Sequence, residues 1–400
     1  MVNGIEKRKK AKLNFIDTVF IAFCLFPFII PNPIVVTNIQ PNAAVFGTLV
    51  VCYEVFVKNA FKVRLSKTFF FAVTLITLAI SVLVLFLTDI TVESFRAFFN
   101  YYSVAIIPLA AFLVLQRIGT FPEGLIKALI IVWLLVSTIQ FFSDRSFMTG
   151  IIGGVRFSYS YRGVVGLASE PSFFGIACFY FLHLAIRFKK KQPLFVLLIL
   201  FMGIVYAQSM MGVLFIGSFL VVYLLDAANT RKGLYIWLAA IIALVGFVIL
   251  LNTALVGTRL HQLFTIYVQG GTDEILNDAS AGTRYDSLSV AINDSLDNYF
   301  LPLGYTRRIG SGYGGFLCEL GFFALPVLWC ISLVMSWTFK KRVSRVLYFV
   351  VVTILLFNNT QLGNPLLLLV LGVNLAFEAS AIVTDGQELK EKCNGAASIR

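Results

Sequence analysis

Between Arg156 and Gly175 the chain reads RFSYSYRGVVGLASEPSFFG, an arginine-bearing stretch set between long apolar runs. Arginine presents a planar fork of donors that matches phosphate oxygens in pairs, so Arg156 and Arg162 mark an address for an anionic ligand. Pro171 pre-sets a first helical turn and has no N–H to leave unpaired there, and Ser169 can cap that turn. Glu170 is then held at the mouth of a helix, beside the arginines. A second carboxylate, Glu319, follows Arg307, Arg308 and the glycines Gly310, Gly312, Gly314 and Gly315. Two readings stand beside each other for these carboxylates. Each can line a site and take a proton from a hydroxyl as general base. Glu170 can also just cap its helix and complement the dipole there, for roughly 0.3–1 kcal/mol. Asp17, Glu54 and Glu378 also lie near or within apolar runs, and Glu54 and Glu378 read as snorkelling or capping residues.

Other chemistries find little support. The two histidines, His183 and His261, belong to no HExxH and no clustered ligand set. A GxSxG elbow, a Walker loop and a dinucleotide fingerprint are missing. The six cysteines (Cys24, Cys52, Cys178, Cys318, Cys330 and Cys393) form no CxxC and suggest no disulfide framework. No metal and no cofactor is expected.

The elements that position the two carboxylates come from composition. Of 400 residues, 59% are hydrophobic and 13% charged, with mean hydropathy +0.88, whereas soluble chains run at about 25% charged. This predicts an all-α, polytopic membrane protein, one transmembrane domain over 1–400. A helical crossing takes about 20 apolar residues. Apolar runs predict about twelve spans, near 14–31, 41–57, 68–88, 98–116, 125–143, 171–187, 193–208, 210–226, 233–252, 313–337, 345–359 and 363–378. Gln208-Ser209 reads as a tight turn between two of them.

With both termini cytoplasmic, every lysine falls in an inner segment, and the outer basic residues are all arginine: Arg96, Arg145, Arg156, Arg162, Arg259, Arg284, Arg307 and Arg308. The net charge of +12 is therefore a topology signal and not a nucleic-acid footprint. Two outer segments stand out. The first is 144–170. The second, 253–312, is long, and its apolar residues recur at helical spacing (Leu255, Leu260, Leu263, Phe264 and Tyr267, then Leu288, Ala291, Ile292, Leu296, Tyr299 and Phe300), which predicts two helices on the membrane surface. The tail 379–400 is mixed-charge and cytoplasmic in this topology.

Arg162, Gly166 and Glu170-Pro171-Ser172 entering a helix resemble the signature of bacterial O-antigen polymerases (Wzy-type), within the wider group of lipid-linked polysaccharide polymerases and ligases. The later part is similar too: Arg284 opening an outer helix, Pro302-Leu303-Gly304, the glycine cluster, and Glu319-Leu320-Gly321 in the next span. The resemblance covers roughly 145–325, and the first five spans match only in kind. It implies a glycosyltransferase-C-like membrane fold with two functional periplasmic loops in the bacterial inner membrane. The implied reaction transfers the growing glycan from undecaprenyl diphosphate onto the next lipid-linked O-antigen repeat unit, with neither metal nor nucleotide. Arg156, Arg162, Arg284, Arg307 and Arg308 would bind diphosphate, Tyr159, Tyr285 and Tyr313 would contact sugars, and Glu170 and Glu319 would be catalytic. The implied partners are the undecaprenyl-diphosphate-linked oligosaccharide donor and acceptor, membrane lipids, a chain-length regulator and a flippase, with no nucleic acid. The related ligases carry a histidine before the span that follows the large loop, where this chain has Ser311-Gly312-Tyr313-Gly314-Gly315, and His261 is about fifty residues earlier. That favours a polymerase over an O-antigen ligase. The rivals from other classes are a lipid-linked oligosaccharide flippase or transporter and a membrane scaffold of a polysaccharide assembly complex.

Overall fold

A computed structural model describes residues 12–29, 39–57, 68–155, 163–189, 192–227, 252–253, 256–276, 279–305, 312–356 and 362–379. The expected span at 233–252 and the tail beyond 379 lie outside the described residues. The chain is an all-α, multi-pass membrane protein. Among the described residues, five helices are long and apolar enough to cross a bilayer: α3 (Thr68–Leu87), α4 (Val92–Ile118), α5 (Glu123–Phe142), α8 (Met210–Ala227) and the composite Gly314–Ser336. Shorter apolar helices are α1 (Phe15–Leu25), α2 (Asn42–Cys52), α6 (Pro171–Ala185), α7 (Pro193–Phe201) and α14 (Pro365–Ala379). Two polar helical stretches, α9 (Arg259–Leu276, broken at Gly271, which takes φ 69°) and α10 (Ala279–Asp297), fill much of the long segment. The composite consists of α11 (Gly312–Leu320), a 3-10 turn (Gly321–Ala324) and α12 (Leu325–Ser336), and α13 (Arg342–Leu355) follows it.

Local chemistry sets the boundaries. Asn14 and Asp17 form a reciprocal capping box at α1, and Thr91 and Ser94 do so at α4. Gly119, at φ 63°, stops α4 in the left-handed region that glycine tolerates. The turn expected at Gln208-Ser209 is present: α7 runs on through a π-helical turn (Met202–Tyr206), Gln208 takes φ 44°, and α8 starts at Met210.

Helix α4 is the axis. Its most apolar stretch is 67% buried, as is that of Gly314–Ser336, against 33% for α3, α5 and α8, whose outer faces carry exposed residues such as Leu75, Leu135 and Leu214. Lipid tails are as apolar as leucine, so helices associate through close packing and internal polar contacts, not through the hydrophobic effect. Helices α6 and α8 touch backbone to backbone at Gly175 and Gly212, where a Cβ on Gly175 would sit 2.6 Å from the Gly212 Cα. Gly372 of α14 lies equally close to Pro108 of α4.

The bundle has two distinguishable ends. At one, the lysine end, Arg117 closes α4 with ion pairs to the buried carboxylates Asp17 and Glu54, the latter at 3.0 Å. Arg345 pairs with Glu378 at 3.3 Å. Glu54 and Glu378 therefore do not snorkel or cap as the sequence suggested. Glu54 shares Arg117 with Asp17, and Glu378 pairs with Arg345, which lowers the penalty of an ionised group in an apolar layer. His183 is also committed to structure, with Nδ1 2.9 Å from the Thr338 hydroxyl and Nε2 2.6 Å from that of Tyr348. Glu170 and Glu319 lie toward the opposite end.

Candidate functional site

The segment leading into Glu170 is built by α5. Gln140 projects from the last turns of that helix and is buried. Its Oε1 accepts from the Gly166 N–H at 2.7 Å, and its Nε2 donates to the carbonyls of Gly166 (2.8 Å) and Phe147 (2.9 Å). One side chain thus ties together the beginning and the end of the 144–170 segment. Gly166 takes φ 60°, a conformation that side chains resist. Just before it, the Val164 N–H donates to the Tyr206 carbonyl at 2.8 Å, and Gly163 passes so near Ala207 that a Cβ would lie 2.2 Å from its carbonyl oxygen. At the start of the segment, the Asp144 carboxylate accepts from the N–H and hydroxyl of Ser146, and these bonds hold it below the usual carboxylate range.

Helix α6 begins at Pro171, as its sequence dictates, but the cap is Glu170 and not Ser169. Proline at the first helical position shifts the cap one residue later than expected. Ser169 is left fully buried with its hydroxyl unpartnered. Glu170 is half-buried and accepts from the Ser172 hydroxyl at 3.2 Å. Trp133 fixes the first turns of α6 from below by stacking on Phe174 (centroids 5.7 Å apart), with its indole N–H on the Leu25 carbonyl at 3.0 Å.

Glu319 is built by other elements. It is 4% exposed, in the last turn of α11, and accepts from the Tyr101 hydroxyl of α4 at 2.6 Å. The Tyr101 ring lies edge-on to Phe316 and tilted against Tyr305. Tyr305 is fixed in turn to α3, its hydroxyl 2.6 Å from that of Ser81 and donating to the Ser81 carbonyl at 2.9 Å. Burial pushes the Tyr305 phenol above its ordinary value, and the Glu319 charge adds to that. The expected continuous span 313–337 is broken at Gly321, which takes φ 61° where a Cβ would meet the Phe300 carbonyl at 2.2 Å. The Phe322 N–H bonds that carbonyl at 2.8 Å, and the Leu303 N–H bonds the carbonyl of Cys318 at 2.8 Å. The Pro302-Leu303-Gly304 turn is thereby stitched to the helix that carries Glu319.

Of the expected site residues, Arg156, Tyr159, Arg162, Arg307 and Arg308 lie outside the described residues. Arg284 is in the first turns of α10, and Tyr313 is in α11, with their side chains outside the described set. Tyr285 is exposed on α10, and that helix packs on α11. The apolar face of α10 differs from expectation at its end. Ala291 and Ser295 are buried, whereas Leu296, on the outward side of the helix, and Tyr299, beyond its end at Asp297, are exposed. Sequence reasoning missed Gln140 and Tyr101. The signal for Gln140 was a carboxamide at the end of an otherwise apolar run, whereas nothing local distinguishes Tyr101 from its neighbour Tyr102. Among the described residues, no group of three or more His, Cys, Asp or Glu side chains is placed to hold a metal.

The arrangement consists of two separately braced carboxylates, one half-exposed at a helix start and one buried against a phenol. No protein-family model, curated protein or solved structure matches the chain.

Proposed function

We propose that the protein polymerises undecaprenyl-diphosphate-linked O-antigen, or a similar surface polysaccharide, by transferring the growing glycan onto the next lipid-linked repeat. The observation that carries the reading is that Glu170, at the start of α6, and Glu319, held by the Tyr101 hydroxyl, both lie toward the end of the bundle remote from the described lysines. By the positive-inside rule that end faces the periplasm and the lysine end the cytoplasm. In this reading the protein has about twelve spans in a glycosyltransferase-C-like arrangement, with two working loops.

The chemistry follows from the residue types. An acceptor sugar hydroxyl attacks the anomeric carbon of the donor glycan. The bond from that carbon to the diphosphate oxygen breaks, and the polyprenyl diphosphate leaves with the electron pair. Arg156, Arg162, Arg284, Arg307 and Arg308 stabilise that developing charge where water is scarce. The hydroxyl proton passes to a carboxylate. Glu170, half-exposed, is suited to receive it, and Glu319, held by Tyr101, is suited to orient the acceptor. Tyr159, Tyr285 and Tyr313 offer faces to sugar rings.

The test is glycan synthesis by the purified chain in nanodiscs given lipid-linked repeats alone. A ladder of products is expected, and lysine at Arg162 or Arg284 should abolish most of it at unchanged protein level, because charge without the fork is insufficient. Movement of repeats across the bilayer without joining would instead identify a flippase, and a single transfer to a lipid A core acceptor would identify a ligase.

A further inference from the structure

At the lysine end, just past the last turn of α6, stands the half-buried Arg187. Its Nη2 makes both of its hydrogen bonds, to the Trp337 carbonyl at 3.1 Å and to the Asn374 Oδ1 at 2.8 Å. The guanidinium lies over the Phe377 ring, 4.9 Å from its centroid. The Nε is buried and has no partner. Among the described residues no carboxylate pairs with Arg187. Glu378, whose charge reaches it, is engaged by both Nη atoms of Arg345. Two carbonyl dipoles and a ring face hold this cation, and none of them is a counter-ion. A charge this far out of water is ordinarily matched by one.

The surroundings say what the missing anion is attached to. Phe377 meets Phe121 edge-on at 5.7 Å, and Phe121 meets Phe188 at 6.1 Å. Lys127 places its Nζ 4.7 Å from the Phe188 centroid and pairs with Glu123, which also accepts from the Lys189 N–H at 3.1 Å. Around the three rings, two carboxylates, Glu123 and Glu378, thus stand against four cations, Lys127, Arg187, Lys189 and Arg345. On its other side Phe121 lines a narrow crevice between α1, α4, α5 and α14, with walls that are apolar throughout, among them Phe20, Leu115, Ile126 and Val373. Surplus positive charge and an idle guanidinium donor call for an oxyanion, and the crevice one ring away calls for hydrocarbon. A phosphate that carries acyl chains meets both demands, and basic pockets between helices at this level of a bilayer suit anionic headgroups. We infer that Arg187 is the phosphate ligand of a bound anionic phospholipid, with an acyl chain at the mouth of the crevice beside Phe121. A choline headgroup is disfavoured, since Lys127 and Arg187 already occupy ring faces that could receive it. The site stands at the end opposite Glu170 and Glu319 and goes beyond the reaction proposed there.

The full chain, purified in detergent and stripped of lipid, is titrated with phosphatidylglycerol or phosphatidylcholine bearing the same fluorescent acyl chain, and binding is read by energy transfer from tryptophan. Wild type should prefer phosphatidylglycerol. Arg187→Met should cut that preference by about ten- to a hundredfold, the worth of one hydrogen bond to a charged group, and leave phosphatidylcholine unaffected. Arg187→Lys, which keeps the charge without the fork, should fall between. Glu378→Gln should raise the preference, because it removes one of the two opposing carboxylates, and a mere loss of packing would not produce that gain. If Arg187→Met does not accumulate, the other two variants carry the test. Equal binding of the two lipids by wild type would overturn the inference, as would a preference that no variant moves. Inorganic phosphate at millimolar concentration should leave the lipid bound. Full displacement by it would overturn the lipid assignment and make Arg187 a site for soluble phosphate.

Discussion

Glu170 separates a structural from a chemical role under conservative substitution. As a helix cap it would be replaced by glutamine with a small loss of stability and full glycan synthesis. As a base it would not, and aspartate, which keeps the charge but withdraws it by one methylene, should retain part of the activity. We expect Glu170→Gln to lose synthesis while lipid-linked repeats accumulate, with Glu170→Asp intermediate. A glutamine variant that makes normal ladders would remove the catalytic assignment. Gln140 makes a second test possible. Gln140→Leu leaves the N–H and carbonyl of Gly166 and the carbonyl of Phe147 without partners, at about 1–3 kcal/mol for each group that water cannot reach. We expect a lower unfolding temperature and faster proteolysis within 144–170, with glycan synthesis falling further than stability alone explains. The position of Glu170 was legible because Pro171 announces a helix start locally. The role of Gln140 was not, since its partners at Phe147 and Gly166 depend on how the connection folds back.

At the scale of elements, the boundaries that follow local rules could be read in advance: the proline start of α6, the break before α8 and the two helices of the long segment. The break at Gly321 was hidden, because its cause is the carbonyl of Phe300 arriving from another segment. That arrival is itself costly, since Tyr299 and Phe300 both adopt φ 54°, and left-handed backbone costs about 1–2 kcal/mol per ordinary residue. Glycine contacts allow a controlled comparison within α8. Gly212 meets Gly175, whereas a Cβ on Gly217 meets nothing within 4 Å. We expect Gly212→Val to abolish folded protein and Gly217→Val to leave yield and melting unchanged, as read by fluorescence-detected size exclusion. Along α10, cysteines at 288, 291 and 295 should react slowly with a water-soluble maleimide and those at 285, 289 and 296 quickly, a period near 3.6. A flat profile would mean that α10 does not pack as described.

For the whole molecule, composition alone established a multi-pass helical membrane protein, but not which helices meet. The Arg117 cluster shows why: Asp17, Glu54 and Arg117 converge from α1, the turn after α2 and the end of α4, a pairing no local pattern encodes. Removing the cation strands two buried anions. Arg117→Met is expected to destabilise the protein by about 3–5 kcal/mol, and adding Asp17→Asn and Glu54→Gln should restore most of the thermal stability. The same cluster constrains biogenesis. Asp17 and Arg117 are 100 residues apart, and translation at about 5–20 residues per second separates their emergence by roughly 5–20 s. Throughout that interval α1 must be accommodated with an acidic side chain whose permanent counter-ion does not yet exist. The reciprocal cap from Asn14, whose N–H donates to the Asp17 carboxylate at 2.9 Å, is the contact that the described residues of α1 offer it during the wait. Nascent chains arrested before residue 117 should therefore remain beside the insertion machinery, and release into lipid should coincide with the arrival of α4.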